Sequence, residues 1–297
     1  PFRVLGRAIG RIDDRLATAA EKSSRWALAE RRRNAELRDL YRGRRCFVLA
    51  TGPSIKQQDL ASLGNEIAIS VNAFFRHPAV DRWQPTYHCL ADPLFFGDDP
   101  EMVRFRDEMA TRLTRSHFVL PANTLDAVRA WPAVDTQRCW FWTDSHRYLL
   151  EDPPRSLDLT RMLPGIVNVV PVALMLAMHL GCSPIYLLGC DHTFLANVGE
   201  LSHFYQGATI TGSRRAHQIN LERGYLGAIR EAQTLWRSYI GLHRYAQSRS
   251  IEIINATPGG LLDVFPRADF NQVIAPPARA VEQGPAKGRN GCVNPPA

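Results

Sequence analysis

Five apolar runs in this sequence end on residues that could hold or transfer a charged group. The first run is followed by Ala50-Thr51-Gly52-Pro53-Ser54. Gly lets the backbone come close to a ligand, and exposed amides at the start of a helix suit a phosphate. Ser54 can cap that helix or donate to a phosphate. The motif lacks the Gly-Lys-Ser/Thr of a Walker loop and is not GxGxxG, so a plain strand-to-helix turn reads equally well. Asn72 ends the second run, where its amide can bind a base, ribose or phosphate, or close an Asx-turn. Asp92, before Pro93, can start a turn, bind a ribose hydroxyl or ligate a metal. Asp191 and His192 stand together after the apolar run Ile185 to Leu188. The imidazole could be a general base, a phosphate donor or a ligand, or simply a solvated neighbour of a capping Asp. Adjacent residues on an extended chain point to opposite sides, so the pair need not act on one atom. Asn255 closes the last run.

His203 lies in Leu201-Ser-His-Phe-Tyr205, in a stretch that also holds Gly199, Gly207 and Gly212. That composition predicts a mobile lid of roughly 20 residues. A lid histidine beside Tyr205 could deprotonate an acceptor hydroxyl. Arg214 and Arg215, at the lid's end, could hold a phosphate or carboxylate. His179 and His243 fall within helical segments and read as structural.

Such scattered groups work together only if the fold brings their strand ends to one edge. Residues 45–51, 67–71, 87–91, 117–120, 139–142, 185–188 and 251–255 read as short buried strands. Residues 168–180 read as a buried helix, and 215–248 as a long helix or helix pair. Short apolar strands alternating with helices predict an α/β, Rossmann-like, mostly parallel sheet with helices on both faces. In such sheets the ligand sits at the carboxyl ends of the strands. The expected organisation is an N-terminal helical arm over residues 1–43, a nucleotide-binding catalytic domain over 44–272, and a disordered tail over 273–297, rich in Pro, Gly and charge.

Composition narrows the function classes. The 297 residues are 45% hydrophobic and 22% charged, as expected of a globular protein able to bury a large core. The six cysteines form no CxxC pair, which points away from a zinc knuckle or thioredoxin-type site and towards a reducing compartment. No apolar stretch reaches the length of a membrane span. The expected location is therefore cytoplasmic, with a peripheral position at the inner membrane face open to the arm. The net charge is +7, with much of the excess in residues 3–45. Aromatics are not interleaved with these basic residues as a nucleic-acid surface would want. The basic arm could instead contact a partner or anionic lipid headgroups.

The runs Val48-Leu-Ala-Thr-Gly-Pro-Ser-Ile55, Ser70-Val-Asn-Ala-Phe-Phe75 and Tyr186-Leu-Leu-Gly-Cys-Asp-His192 resemble the domain of unknown function 115 group, also labelled 6-hydroxymethylpterin diphosphokinase MptE-like. That group is in turn similar to the bacterial sialyltransferases of glycosyltransferase family 42. The resemblance spans about residues 44–270. It implies a GT-A-like variant of the Rossmann fold, with Thr51, Gly52, Pro53, Ser54, Asn72, Asp92, Asn168, Asp191 and His192 around the nucleotide. It implies catalytic roles for His203, as base, and for Asp191. Thr51 stands where the sialyltransferases have Asn, Pro171 falls in the buried helix, and the acceptor-binding region does not align. The implied activity is transfer from a nucleotide-activated sugar, CMP-linked by this likeness, to a glycan or lipid-linked acceptor in bacterial surface polysaccharide or glycoconjugate synthesis, without an obligatory metal. Two alternatives stand beside it. One is diphosphate transfer from ATP to 6-hydroxymethylpterin, with Mg²⁺ on Asp92 and Asp191. The other is a non-catalytic nucleotide-binding scaffold.

Overall fold

The apolar runs assemble into one parallel sheet. The computed structural model describes the backbone of residues 25–148, 151–196 and 214–275. Its main sheet has seven strands: β1 (Cys46–Leu49), β2 (Ile67–Val71), β3 (Tyr87–Cys89), β4 (His117–Pro121), β5 (Cys139–Trp142), β8 (Ile185–Leu188) and β9 (Ile253–Asn255). They lie in the order β5-β4-β3-β2-β1-β8-β9, and every pairing is parallel. The chain steps outward from β1 to β5 on one side, then returns to place β8 on the other side of β1. The strand order therefore reverses between β1 and β8.

Strand alternation divides the core in two. Cys46, Val48, Ile69, Val71, Cys89 and Leu187 face one side. Phe47, Leu49, Ala68, Phe118, Leu120 and Phe141 face the other. The first side is covered by α4 (Val169–His179), in which every residue is buried, as an all-round apolar helix requires. Pro171 fits near its start, where a missing N–H leaves no intrahelical bond unmade. Helix α5 (Arg214–Gln247) packs on the same side through Leu235, Tyr239, Leu242 and Ala246. On the second side lies α2 (Pro100–Arg112), buried through Met102, Phe105 and Met109. Helices thus cover both faces, as the alternation predicts.

Two strands escaped the sequence reading. β6 (Asp144–Tyr148) and β7 (Leu163–Gly165) form a separate parallel pair. The run Asp-Ser-His-Arg-Tyr of β6 is polar and carries no strand signal. Two short helices, α3 (Leu125–Arg129) and α6 (Phe270–Ile274), lie elsewhere along the chain.

The segment read as an arm joins the domain before its assigned end. Helix α1 (Arg25–Arg33) leads into a 3₁₀ turn over Asn34–Leu37. The fully buried Asn34 side chain donates to the carbonyls of Phe141 (2.7 Å) and Leu159 (2.9 Å). The amides of Asp39, Tyr41 and Gly43 bond to the carbonyls of His179, Leu180 and Gly181. His179 is structural, its Nε2 lying 2.8 Å from the Asn34 carbonyl. Internal bonds also account for part of the basic charge. Arg33 donates to the Gln137 and Cys139 carbonyls, Arg38 pairs with Asp158 and Arg45 with Glu66. At the other end, Val273 and Ile274, read as tail, belong to α6, and the Val273 carbonyl accepts from Arg45. Residues 1–24 and 276–297 lie outside the described residues. Among those described, no helix is long and apolar enough to cross a membrane.

Leu37, only 2% exposed, belongs to the same core cluster as α4. Leu37→Ala should therefore lower unfolding free energy by about 2–5 kcal/mol, the usual cost of emptying a buried leucine site. Urea denaturation measures it, and an unchanged midpoint would place the segment outside the core.

Candidate functional site

The carboxyl ends of β1, β8 and β9 meet where the strand order reverses. Leu49 pairs with Leu188, so Thr51 stands level with Cys190. Leu49 also pairs with Ser70, which sets Asn72 level with Thr51 on the other flank. Beyond β1 the chain enters a 3₁₀ turn, Pro53–Gln57, with Gly52 before it. Beyond β8, Gly189 and His192 both take left-handed backbone angles, with φ of 66° and 50°. Pro258, Gly259 and Gly260 follow β9.

Asp191 holds these three ends together. Its carboxylate accepts from the Ser54 hydroxyl at 2.7 Å and from the Ser54 amide at 3.2 Å. Its carbonyl accepts from the Leu261 amide at 2.8 Å. Any Cβ on Gly52 would overlap the Asp191 carboxylate and lie 2.5 Å from the Gly189 carbonyl. One on Gly260 would lie 2.9 Å from the Asp191 Cα. Gly52 is thus needed for close approach, as the sequence implied, but the anion that approaches is the chain's own. Thr257 adds a further tie: its hydroxyl accepts from the Cys190 amide at 3.0 Å. Burial raises the Asp191 carboxyl above its ordinary range, and the two Ser54 bonds pull the other way.

His192 turns toward α5 instead of standing in solvent. Its Nε2 lies 2.8 Å from the Tyr239 hydroxyl. Its ring lies 5.5 Å from those of Tyr239 and Trp236 and 6.3 Å from that of Phe194. Burial lowers its pKa to about 4, so the imidazole is neutral at physiological pH. Tyr239, Trp236 and Gly260 had no assigned role from sequence. Tyr239 follows the same helical spacing as the core residues Leu235, Leu242 and Ala246, so nothing local marks it.

The other predicted groups are less concentrated. Thr51 is buried, 5% exposed, at the β1 end. Asn72 has a left-handed φ of 49° at the start of a 3₁₀ turn and is half-buried. Exposed Asp92 caps the turn after β3, accepting from the Leu94 amide at 2.9 Å. Asn168 caps α4, accepting from the Val170 amide at 2.9 Å. Because α4 packs on parallel strands and leads into β8, its amino end opens at the same sheet edge. Asn255 is fully buried, bonding the Leu262 carbonyl and the Thr257 amide, and so belongs to the scaffold. His203, Arg214 and Arg215 are not placed: His203 lies outside the described residues, as do the two arginine side chains.

Among the described residues no group of three or more His, Cys, Asp or Glu could hold a metal ion. Asp191 and Asp92, the Mg²⁺ pair of the diphosphokinase alternative, accept hydrogen bonds from their own surroundings. Both Asp191 oxygens face Ser54, and Asp92 Oδ1 faces the Leu94 amide.

No protein-family model matches the chain, and no curated protein matches it. Among solved structures the chain is similar to the sialyltransferase CstII from Campylobacter jejuni. In complex with the substrate analogue CMP-3FNeuAc, the identity is 12%, over 75% of this chain and 86% of that chain, with a TM-score of 0.44. In complex with cytidine-5'-monophosphate, the identity is 11%, over 76% and 85%, with a TM-score of 0.42. At that distance the chemistry of the site rests on this chain's own residues.

Two substitutions test the Asp191 tie. Gly52→Ala should destabilise the fold by about 1–3 kcal/mol or more, as overpacking does. With a raised folded pKa, the ionised Asp191 costs stability as pH rises through that value. Asp191→Asn keeps an oxygen for Ser54 without the charge, so it should be neutral or stabilising at pH 7. Asp191→Ala should lose about 1–3 kcal/mol by stranding the Ser54 donors. Equal losses for Asn and Ala in urea titrations would show instead that the charge itself is required.

Proposed function

We propose that this chain is a glycosyltransferase-like enzyme that binds a nucleotide-activated sugar in the crevice between the β1 and β8 ends. The observation that carries the reading is the reversal of strand order at that point, with glycine-containing turns from β1 and β8 on its carboxyl side. Ligands of open α/β sheets bind in such a crevice. The distant motif resemblance to the sialyltransferases supports a nucleotide-sugar donor, and a CMP-linked one is the first to test. The proposed acceptor is a glycan or lipid-linked hydroxyl in surface polysaccharide or glycoconjugate assembly.

The reaction would be displacement at the anomeric carbon. The acceptor oxygen forms a bond to that carbon as the bond to the nucleotide phosphate oxygen breaks. In this scheme His203 takes the acceptor proton, and the electron pair leaves with the phosphate. Neutral groups at the crevice, Asn72 and His192, would bind the nucleotide, while Asp191 acts by holding the strand ends in place. Donors already fixed by the fold stabilise a leaving anion without reorganisation.

A thermal-shift panel tests the reading: CMP-, UDP- and GDP-sugars against ATP, each with and without Mg²⁺. Stabilisation by one nucleotide-sugar class is expected. Stabilisation by ATP with Mg²⁺ alone would favour diphosphate transfer, binding of a nucleotide-sugar without turnover would favour a scaffold, and no response at all would remove the nucleotide reading. With a donor in hand, His203→Ala should lower turnover by about 10²–10⁴-fold with little change in donor affinity. Near-normal turnover in that variant would remove His203 as the base.

A further inference from the structure

The His192–Tyr239 contact determines more than where the ring sits. Tyr239 is 0% exposed, and among the described residues its hydroxyl has one hydrogen-bond partner, His192 Nε2 at 2.8 Å. A phenol carries one proton to donate, and a buried donor left unmade is costly. Were the imidazole proton on Nε2, it would point at the phenol oxygen and leave the phenol proton with no acceptor among the described residues. The contact is satisfied at both atoms only when the phenol donates and Nε2 accepts. The imidazole proton then sits on Nδ1.

The rest of the geometry carries that proton outward. The two ring nitrogens point well apart, so with Nε2 on the Tyr239 hydroxyl the Nδ1 proton is directed away from that contact. His192 is half-buried at the β8 end. Among the described residues no protein group is bonded to Nδ1. The ring is held by Tyr239 and Trp236, and Trp236 is itself anchored through Nε1 to Asp263 at 3.0 Å. The backbone at His192 is left-handed and follows directly on the Asp191 tie.

We infer that Tyr239 is a positioning residue that locks His192 as the Nδ1–H tautomer, so that the crevice meets a fixed, neutral N–H donor suited to an anionic oxygen. Resting on the reading of the crevice as a nucleotide-sugar site, that oxygen is one of the nucleotide phosphate, and His192 serves as a donor to it and not as a proton acceptor. The low His192 pKa, caused by burial, agrees with a neutral ring.

The tautomer is measured without ligand, by long-range ¹H–¹⁵N NMR on ¹⁵N-histidine-labelled full-length chain. His192 should show a protonated Nδ1 and a bare Nε2. In Tyr239→Phe, which keeps the ring and its packing, the proton should move at least partly to Nε2, its usual position in water. A protonated Nε2 in the wild type, or an unchanged tautomer in Tyr239→Phe, overturns the assignment. The donor role is read with CMP as probe. His192→Asn places an amide nitrogen where Nδ1 stands and should keep affinity within a few-fold. His192→Gln places it where Nε2 stands and should lose roughly 10–100-fold, the worth of a hydrogen bond to a charged group. Equal losses in the two variants overturn the donor role. Failure of the wild type to bind any nucleotide would overturn the transferase reading and the phosphate role with it, while the tautomer is decided by NMR alone.

Discussion

The Asp191 carboxylate, bonded to the amide and hydroxyl of Ser54, is the contact on which the crevice depends. It joins the β8 end to the β1 turn, while the Asp191 carbonyl joins both to the loop after β9. Short strands of three to five residues hold their own length in register but leave their outgoing loops free to diverge. A buried residue bonded through its carboxylate to one neighbouring loop and through its carbonyl to the other removes that freedom. The arrangement constrains sequence in turn, because Gly52 and Gly260 must lack side chains for Asp191 to fit.

That tie also sets the electrostatic character of the site. The charge that occupies the Gly-Pro-Ser turn is internal and negative, so an incoming phosphate would meet its attraction elsewhere along the edge. Neutral donors suit that role better than a second carboxylate would. His192 is kept neutral by burial, and Asn72 brings an amide. The amino end of α4, capped by Asn168, contributes the positive end of an eleven-residue helix dipole to the same edge. Several weak positive contributions there would oppose the repulsion from Asp191 without introducing a full cationic charge.

Burial explains why many of the polar residues serve the frame. Asn34, His179, Asn255 and Thr257 are each less than 9% exposed, and each makes specific hydrogen bonds. A buried polar group without a partner is costly; Asn34, His179 and Thr257 meet theirs on segments far apart in sequence, and Asn255 fixes the loop that follows β9. Arg33 and Arg45 act similarly at the opposite edge, donating to carbonyls across the domain. What reads in sequence as a basic arm is, from Asn34 onward, part of the packing.

Local pattern determined much of the sheet. The bounds of β2, β5 and β8 coincide with apolar runs, because a strand buried on both faces must be apolar along its length. Asn168 and Pro171 at the start of α4, and the glycines after β1, β8 and β9, are equally visible, since caps and turns depend on near neighbours. The pair β6–β7 was not visible, because its pairing is set by where the chain lies and not by its own composition. Nor could sequence say what would fill the Gly52–Ser54 turn. Ser54 and Asp191 are 137 residues apart, and His192 and Tyr239 are 47 apart. Each pair is joined by the strand order and by the packing of α5 on the sheet. Sequence by itself determined which residues lie at the strand ends, because that follows from local burial and turn chemistry. Only the tertiary structure decided which of them face a ligand and which face each other, because side-chain partners depend on contacts between distant segments.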